Sequence, residues 1–131
     1  MKKIISLLVI ALIVISCGAI SGGKKQASLV NTKWTLVDKS ISSKIPTLSV
    51  EANRITGSGG CNKYFSDLVL NAENGNFVVG NVGSTKMACD DMMTEQNYFN
   101  LLQQVNKYQV KEGYLELYKD NLLLLKFKKS E

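Results

Sequence analysis

The sequence predicts a mainly β fold of the α+β class: a small antiparallel sheet of about 7–8 strands, curled into a partly closed barrel with one helix packed on or into it. Three observations lead to this prediction. Short apolar segments alternate with polar residues over most of the chain after residue 29, turn signals separate them, and only one segment has helical periodicity. No repeat with the period of a solenoid is present.

Residues 34–37 alternate apolar and polar side chains and are rich in β-forming residues, which predicts a first strand with Trp34 and Leu36 facing the core. Residues 47–51 alternate in the same way. A short turn then leads into residues 54–57, so the last two segments are predicted to form a hairpin.

Residues 57–65 combine three glycines, a cysteine and two aromatic residues, a composition that fits neither an ordinary strand nor an ordinary helix. Because glycine loses the most entropy when it is ordered, we expect a sharp bend that a covalent tie holds in place. We expect Asn62 to bond backbone groups within the bend. The predicted structural motif comprises Gly57, Gly59, Gly60, Asn62, Tyr64 and Phe65.

Further strands follow the bend. Residues 68–70 and 77–79 flank Asn74-Gly75-Asn76, which predicts a second hairpin. Short turns also separate three apolar segments near the end of the chain, and these predict strands at residues 108–111, 114–118 and 122–127.

The one predicted helix lies between residues 90 and 108. In this segment of good helix formers, apolar residues recur at spacings of three and four, at Tyr98, Leu101, Leu102, Val105 and Tyr108. Asp90 and Asp91 stand at its start, where a carboxylate can accept hydrogen bonds from free backbone N–H groups. We therefore expect both to cap the helix.

The first residues have the features of a secretory signal: Met1-Lys2-Lys3, an apolar run over residues 4–15, and small residues around Cys17. The run is shorter than the roughly 20 apolar residues that a spanning helix needs. The segment Ser16-Cys17-Gly18 resembles a bacterial lipoprotein processing site. We predict a signal peptide at 1–16, a lipidated Cys17 followed by a flexible tether at 17–28, and one domain at 29–131; a plain cleaved secretory signal is the alternative.

The charged residues indicate neither catalysis nor nucleic-acid binding. Lys2 and Lys3 leave with the signal, so 14 of the 16 basic residues remain against 11 acidic ones, a net charge of +3, and no aromatic residues interleave with them as on a nucleic-acid surface. The absence of histidine removes the commonest general base. Ser58 lies in a glycine-rich turn, but its flanking pattern differs from that of a nucleophile turn.

Asp90, Asp91 and Glu95 form the only dense group of carboxylates. Such a group could serve as a calcium site or in acid–base catalysis, yet nothing resembles the spaced ligands of a calcium loop, and helix capping explains the pair Asp90 and Asp91 without further assumptions. We therefore expect no catalytic residues, no metal, no cofactor and no enzymatic activity.

Spaced motifs in a fixed order carry a resemblance to a known family. They are Trp34, the segment 57–65, the segment 84–90 that contains Cys89, and residues 95–99 followed by Leu102. Over roughly residues 29–128 the chain resembles the META domain, the family of the bacterial heat-shock protein HslJ. The resemblance implies a compact, mostly antiparallel β structure with one helix, found in secreted or envelope-anchored proteins.

The resemblance also implies a disulfide between Cys61 and Cys89. The residues support this pairing, because the signal implies an oxidising compartment and lipidation of Cys17 leaves only these two cysteines. A zinc site would need about four ligands, and a redox pair usually places its cysteines two residues apart. A structural bond is the preferred interpretation.

Two functions remain as expectations. In the first, the protein is a monomeric, lipid-anchored envelope protein at the outer membrane, facing the periplasm. It acts there as a stress-related or interaction module, which contacts another envelope protein through a sheet edge or the surface around Tyr64 and Phe65. In the alternative, the barrel encloses an apolar cavity for a lipid or another small hydrophobic ligand. Residues 122–125 are apolar on both faces, which suits either a covered strand or one that lines such a cavity.

Overall fold

The computed structural model describes residues 24–37 and 44–131; the predicted signal peptide and Cys17 lie outside the described residues. In this part of the chain, nine strands and one helix follow one another: β1 (Thr32–Leu36), β2 (Thr47–Val50), β3 (Arg54–Ser58), β4 (Lys63–Asn71), β5 (Asn76–Val79), β6 (Gly83–Ser84), α1 (Met92–Gln104), β7 (Lys107–Lys111), β8 (Tyr114–Lys119) and β9 (Leu122–Lys129). No helix within these residues is long and apolar enough to cross a membrane.

The strands form one antiparallel sheet in the order β3-β2-β1-β9-β8-β7-β5-β4-β6. Because β3 also pairs with β4, eight of the strands close into a ring. The long strand β4 makes this closure possible: its first half pairs with β3 on one side and β6 on the other, and its second half pairs with β5. The predicted mainly β antiparallel fold with one helix is confirmed.

The core lies inside the ring, where alternate residues of each strand point inward. Trp34 and Leu36 are buried, as predicted from the period of two in β1. Fully burying a large apolar side chain stabilises the fold by about 1.5–3 kcal/mol. The core is filled in this way by side chains that are 0% exposed, Leu102 from helix α1 and, from the strands, Leu48, Ile55, Phe77, Leu115, Leu117 and Phe127.

Helix α1 packs its apolar face against the ring of strands. The centroid of the Tyr98 aromatic ring lies 6.4 Å from the centroid of the Phe127 ring. The helix ends at Gln104, earlier than the periodicity predicts, because Val105 adopts an extended conformation and caps the helix by donating its backbone N–H to Leu102. Tyr108 continues the apolar spacing but lies on β7, where it is buried. Its inclusion in the helical pattern was wrong, because an inward-facing strand residue happened to match the helical period, whereas the strand predicted at residues 108–111 agrees with β7.

Strands β5 and β7 make the thinnest junction in the ring, with one residue pair, Asn76 opposite Lys107. The segment before β1 lies against this junction. The backbone N–H of Gln26 donates to the carbonyl of Ala72 at 2.7 Å, and the Tyr108 hydroxyl donates to the carbonyl of Ala27 at 2.8 Å. The last residues of the predicted tether therefore contact the sheet.

The apolar run at residues 122–125 begins directly after the turn between β8 and β9. Leu122 is 65% exposed and Leu123 is 43% exposed, whereas Leu125 is 6% exposed. A register shift between Leu117 and Tyr118 interrupts the alternation across this hairpin. Only the second half of the run is therefore a covered strand.

Candidate functional site

The glycine-rich segment divides into a strand end, a turn and the start of the next strand. Gly57 and Ser58 end β3, whereas Tyr64 and Phe65 lie on β4, so the segment as a whole is neither one strand nor a helix, and its two ends are strands. The turn itself spans residues 59–62 and is closed by the backbone N–H of Gly59, which donates to the carbonyl of Asn62 at 2.8 Å. Gly60 has a φ of +113°, which L side chains rarely adopt.

The turn touches helix α1 at Gly59. A Cβ atom placed on this glycine would lie 2.6 Å from Cζ of Phe99 and 2.8 Å from Cγ of Glu95, closer than real Cβ contacts allow. The absence of a side chain at Gly59 thus lets the backbone of the turn approach the helix directly.

Glu95 connects the helix to the turn. Its Oε2 accepts hydrogen bonds from the backbone N–H groups of Cys61 at 3.0 Å and Asn62 at 2.6 Å, and its Oε1 accepts one from Nδ2 of Asn62 at 2.6 Å. The residue is only 3% exposed. Because three N–H groups already bond its two oxygens, this carboxylate acts in the structure as a bracket between two chain segments.

Both the nitrogen and the oxygen of the Asn62 side-chain amide form hydrogen bonds. Nδ2 donates to Glu95 and to the carbonyl of Met87 at 3.3 Å, while Oδ1 accepts from the hydroxyl of Thr85 at 2.9 Å and the backbone N–H of Met87 at 2.7 Å. The expectation that Asn62 bonds backbone groups within its own bend was therefore wrong. Its partners lie 23–33 residues away, which is why local turn chemistry does not identify them.

The disulfide between Cys61 and Cys89 is present, with 6.1 Å between the Cα atoms, which confirms the pairing. It joins the turn to the segment just before α1. Asn62 bonds the turn to the segment before α1 as well, and Glu95 bonds the turn to α1 itself, so one covalent tie and one polar network hold a single junction. Within residues 24–37 and 44–131, no three His, Cys, Asp or Glu side chains are grouped to hold a metal ion.

Of the three carboxylates near the helix start, only Asp91 acts as the cap. Its Oδ1 accepts the backbone N–H of Thr94 at 3.1 Å, and the hydrogen bonds from the Thr94 hydroxyl and N–H lower the pKa of the Asp91 carboxyl. Asp90 is exposed and is not the capping residue, and Glu95 faces the interior. The prediction that Asp90 and Asp91 both cap the helix thus holds for Asp91 alone.

Two tyrosine hydroxyls meet inside the ring. The hydroxyl of Tyr64 donates to the carbonyl of Thr47 at 2.8 Å and lies 2.9 Å from the hydroxyl of Tyr98. Burial raises the pKa of both phenols above the usual value, so they remain neutral hydrogen-bonding groups. Tyr64 therefore belongs to the interior and takes no part in an exposed aromatic surface.

Phe65 points the other way, onto the outer face of the sheet. It is 51% exposed, and the guanidinium carbon of Arg54 lies 5.3 Å from its ring centroid. Val69 follows on the same face of β4 at 64% exposure, opposite Val78 of β5 at 43%. We call Phe65, Val69 and Val78 the outer apolar face.

A groove of about 370 Å³ lies over the β5–β7 junction, with walls that are mainly polar: Lys24, Gln26, Asn74, Gly75, Lys107, Tyr108, Gln109, Tyr118, Asp120 and Asn121. Beside it, the Tyr118 hydroxyl donates to Glu116 at 2.6 Å. This bond to the carboxylate raises the pKa of Tyr118 to about 12 and lowers that of Glu116. The groove therefore suits polar groups better than a lipid tail.

One feature of the sequence points to the junction between the turn and helix α1. Glu95 stands on the same helical face as Tyr98, Phe99 and Leu102, all of which are buried. A carboxylate on the apolar face of a helix needs a buried partner, because an unpaired buried charge is costly. Thr85 and Met87, which complete the network, carry no comparable sequence signal.

The closed ring of antiparallel strands, with a helix tied to one turn by a disulfide and a buried carboxylate, defines a small disulfide-containing β domain. The family model for the META domain matches residues 27–131, and the chain belongs to this family. A search of curated proteins finds no match.

Two solved structures share the fold. One is the NMR structure of a protein from Burkholderia xenovorans, 24% identical, with a TM-score of 0.63 over 78% of this chain and 83% of that one. Another NMR structure, 17% identical, has a TM-score of 0.59 over 79% of this chain and 95% of the other.

Proposed function

We propose that this META domain is a non-catalytic interaction module of the bacterial cell envelope. In this proposal Cys17 carries the lipid that holds the protein at the outer membrane, on the periplasmic side. The domain binds another envelope protein through the outer apolar face of β4 and β5.

The observation that supports this function is the composition of that face. A half-exposed aromatic ring, an arginine stacked on it and two exposed valines on paired strands lie on one outer face of the sheet, with Asp67 between Phe65 and Val69. Aromatic residues and arginine are the types enriched where protein interfaces gain most of their affinity. Exposed Asp67 and half-buried Thr56 lie beside Phe65 and provide a polar edge.

The apolar-ligand alternative has less support. Buried side chains fill the interior of the ring, and polar residues line most of the groove at the β5–β7 junction. Neither the interior of the ring nor the groove therefore offers an apolar space for a lipid tail.

The partner surface can be tested by photo-crosslinking in living cells. A benzoylphenylalanine placed at Val69 is expected to give a discrete higher-mass adduct after illumination, because this position lies within the proposed contact. The matched control is the same residue at Lys33, which is exposed on β1. A Phe65→Ser change in the Val69 probe protein should reduce the adduct about tenfold, since it removes the aromatic anchor.

Two outcomes contradict this proposal: equal adducts from both positions, or no adduct from Val69 in protein that reaches the membrane. Thermal unfolding of the Phe65→Ser protein serves as the folding control. Because Phe65 is half exposed, its loss is expected to change the melting temperature little.

Membrane attachment has its own expected result. Cys17→Ser should move the protein from the membrane fraction to the soluble fraction and abolish incorporation of labelled palmitate, because the acyl chains are attached through this thiol. Cys89→Ser is the matched cysteine control and should leave both properties intact. Unchanged fractionation of the Cys17→Ser protein would show that another segment holds it at the membrane.

A further inference from the structure

Three of the four methionines in the chain fall between residues 87 and 93. All three are exposed: Met87 at 55%, Met92 at 42% and Met93 at 75%. Methionine is among the residues most often buried in folded proteins, so three exposed thioethers in one short segment call for a physical explanation. In the sequence they flank Cys89, which forms the disulfide with Cys61 just before α1.

We propose that Met87, Met92 and Met93 form a reversible oxidation site for two-electron oxidants, the hypohalous acids and peroxides. With hypochlorous acid, a sulfur lone pair attacks the chlorine atom, the oxygen–chlorine bond breaks and hydroxide leaves; water then bonds to the sulfur as chloride and two protons leave, one of which neutralises the hydroxide. The product is methionine sulfoxide: the thioether loses two electrons and the oxidant gains them. The inference is independent of the partner surface on β4 and β5.

The order of reaction follows from the geometry of each sulfur. Met93 is the most exposed of the three and should react first. Met92 is the least exposed, and its sulfur accepts a hydrogen bond from the backbone N–H of Cys89 at 3.4 Å. Because that bond engages one of the two sulfur lone pairs and lowers the nucleophilicity of the sulfur, Met92 should react last.

The segment can accept the new oxygen atoms without unfolding. Met87 is held through its backbone, whose N–H donates to Asn62 and whose carbonyl accepts from it, and its side chain takes no part in these bonds. The disulfide holds Cys89 independently. Each sulfoxide therefore replaces apolar surface by polar surface at the start of α1 and leaves the junction below intact.

The test uses the purified full-length protein in detergent with limiting hypochlorous acid, quenched at intervals with free methionine and followed by peptide mass spectrometry. Met93 is expected to gain one oxygen about three times as fast as Met92, with Met87 between them. The near-ultraviolet circular dichroism spectrum should persist. Methionine sulfoxide reductases for the two epimers should then restore the original masses.

Matched variants separate the site from general surface reactivity. Met93→Leu should remove the fastest phase and leave the rates at Met87 and Met92 unchanged. The proposal is overturned if Met92 reacts as fast as Met93, if oxidation abolishes the near-ultraviolet signal, or if the reductases fail to restore the masses.

Discussion

Replacing Cys61 and Cys89 by serine should lower the melting temperature by about 12–32 °C. The bond closes a loop with a sequence separation of 28 residues. The chain-entropy estimate for such a loop is about 3–4 kcal/mol, because the reduced chain regains conformations that the bond denies to the unfolded state. For a domain near 100 residues, each kcal/mol corresponds to roughly 4–8 °C.

The measurement is thermal unfolding by circular dichroism, and treatment of the wild-type protein with a reductant should reproduce the shift. The Cys17→Ser protein is the matched control and should melt at the wild-type temperature. A double variant that melts within about 3 °C of wild type would mean that Glu95 and Asn62 hold the junction without the covalent bond.

Glu95→Gln should destabilise the domain by about 2–4 kcal/mol, although the change is almost isosteric. The glutamine oxygen can still accept from the N–H groups of Cys61 and Asn62, but its NH₂ group then faces Nδ2 of Asn62. Two donors meet where the wild type has a donor and a carboxylate oxygen. Turning the Asn62 amide does not help, because its oxygen already accepts from Thr85 and Met87.

This reasoning predicts a rescue. Asn62→Asp alone places a second carboxylate against Glu95 and should be at least as harmful, whereas Asn62→Asp combined with Glu95→Gln restores an N–H donor facing an oxygen. Urea unfolding of the four proteins should therefore show that the double variant recovers at least about 1 kcal/mol relative to the sum of the single losses.

Glu51→Gln, at an exposed position, is the matched control and should stay within about 0.5 kcal/mol of wild type. If Glu95→Gln costs no more than this control, or if the two single losses simply add, the carboxylate does not form the bracket described above.

Most strands were predictable because their signal is local. The alternation in β1, β2 and β5 depends only on which face is buried, and the hairpin turns have characteristic residues. The closing of the ring was not predictable in detail, because it depends on β4 pairing on both sides. The three glycines just before β4 also have the composition of a turn, which made the start of that strand difficult to recognise. The end of the helix was missed because Tyr108 matches the helical period from an adjacent strand.

The site was partly predictable for the same reason. The pairing of Cys61 with Cys89 follows from the small number of cysteines and the family resemblance. The role of Glu95 did not emerge, because helix capping offered a sufficient local explanation while its real partners lie 33–34 residues away. Asn62 was recognised as structural but assigned to the wrong partners, since the segment at Met87 comes next to it only in the folded chain.

The pairing of β1 with β9 bears on when the protein can fold. These strands join opposite ends of the domain, with Trp34 opposite Lys129. During synthesis the ring stays open until β9 has been made, and contacts between such distant residues form slowly. A nascent chain that lacks β9 therefore keeps its ring open, and it completes its fold only after the last strand has been made.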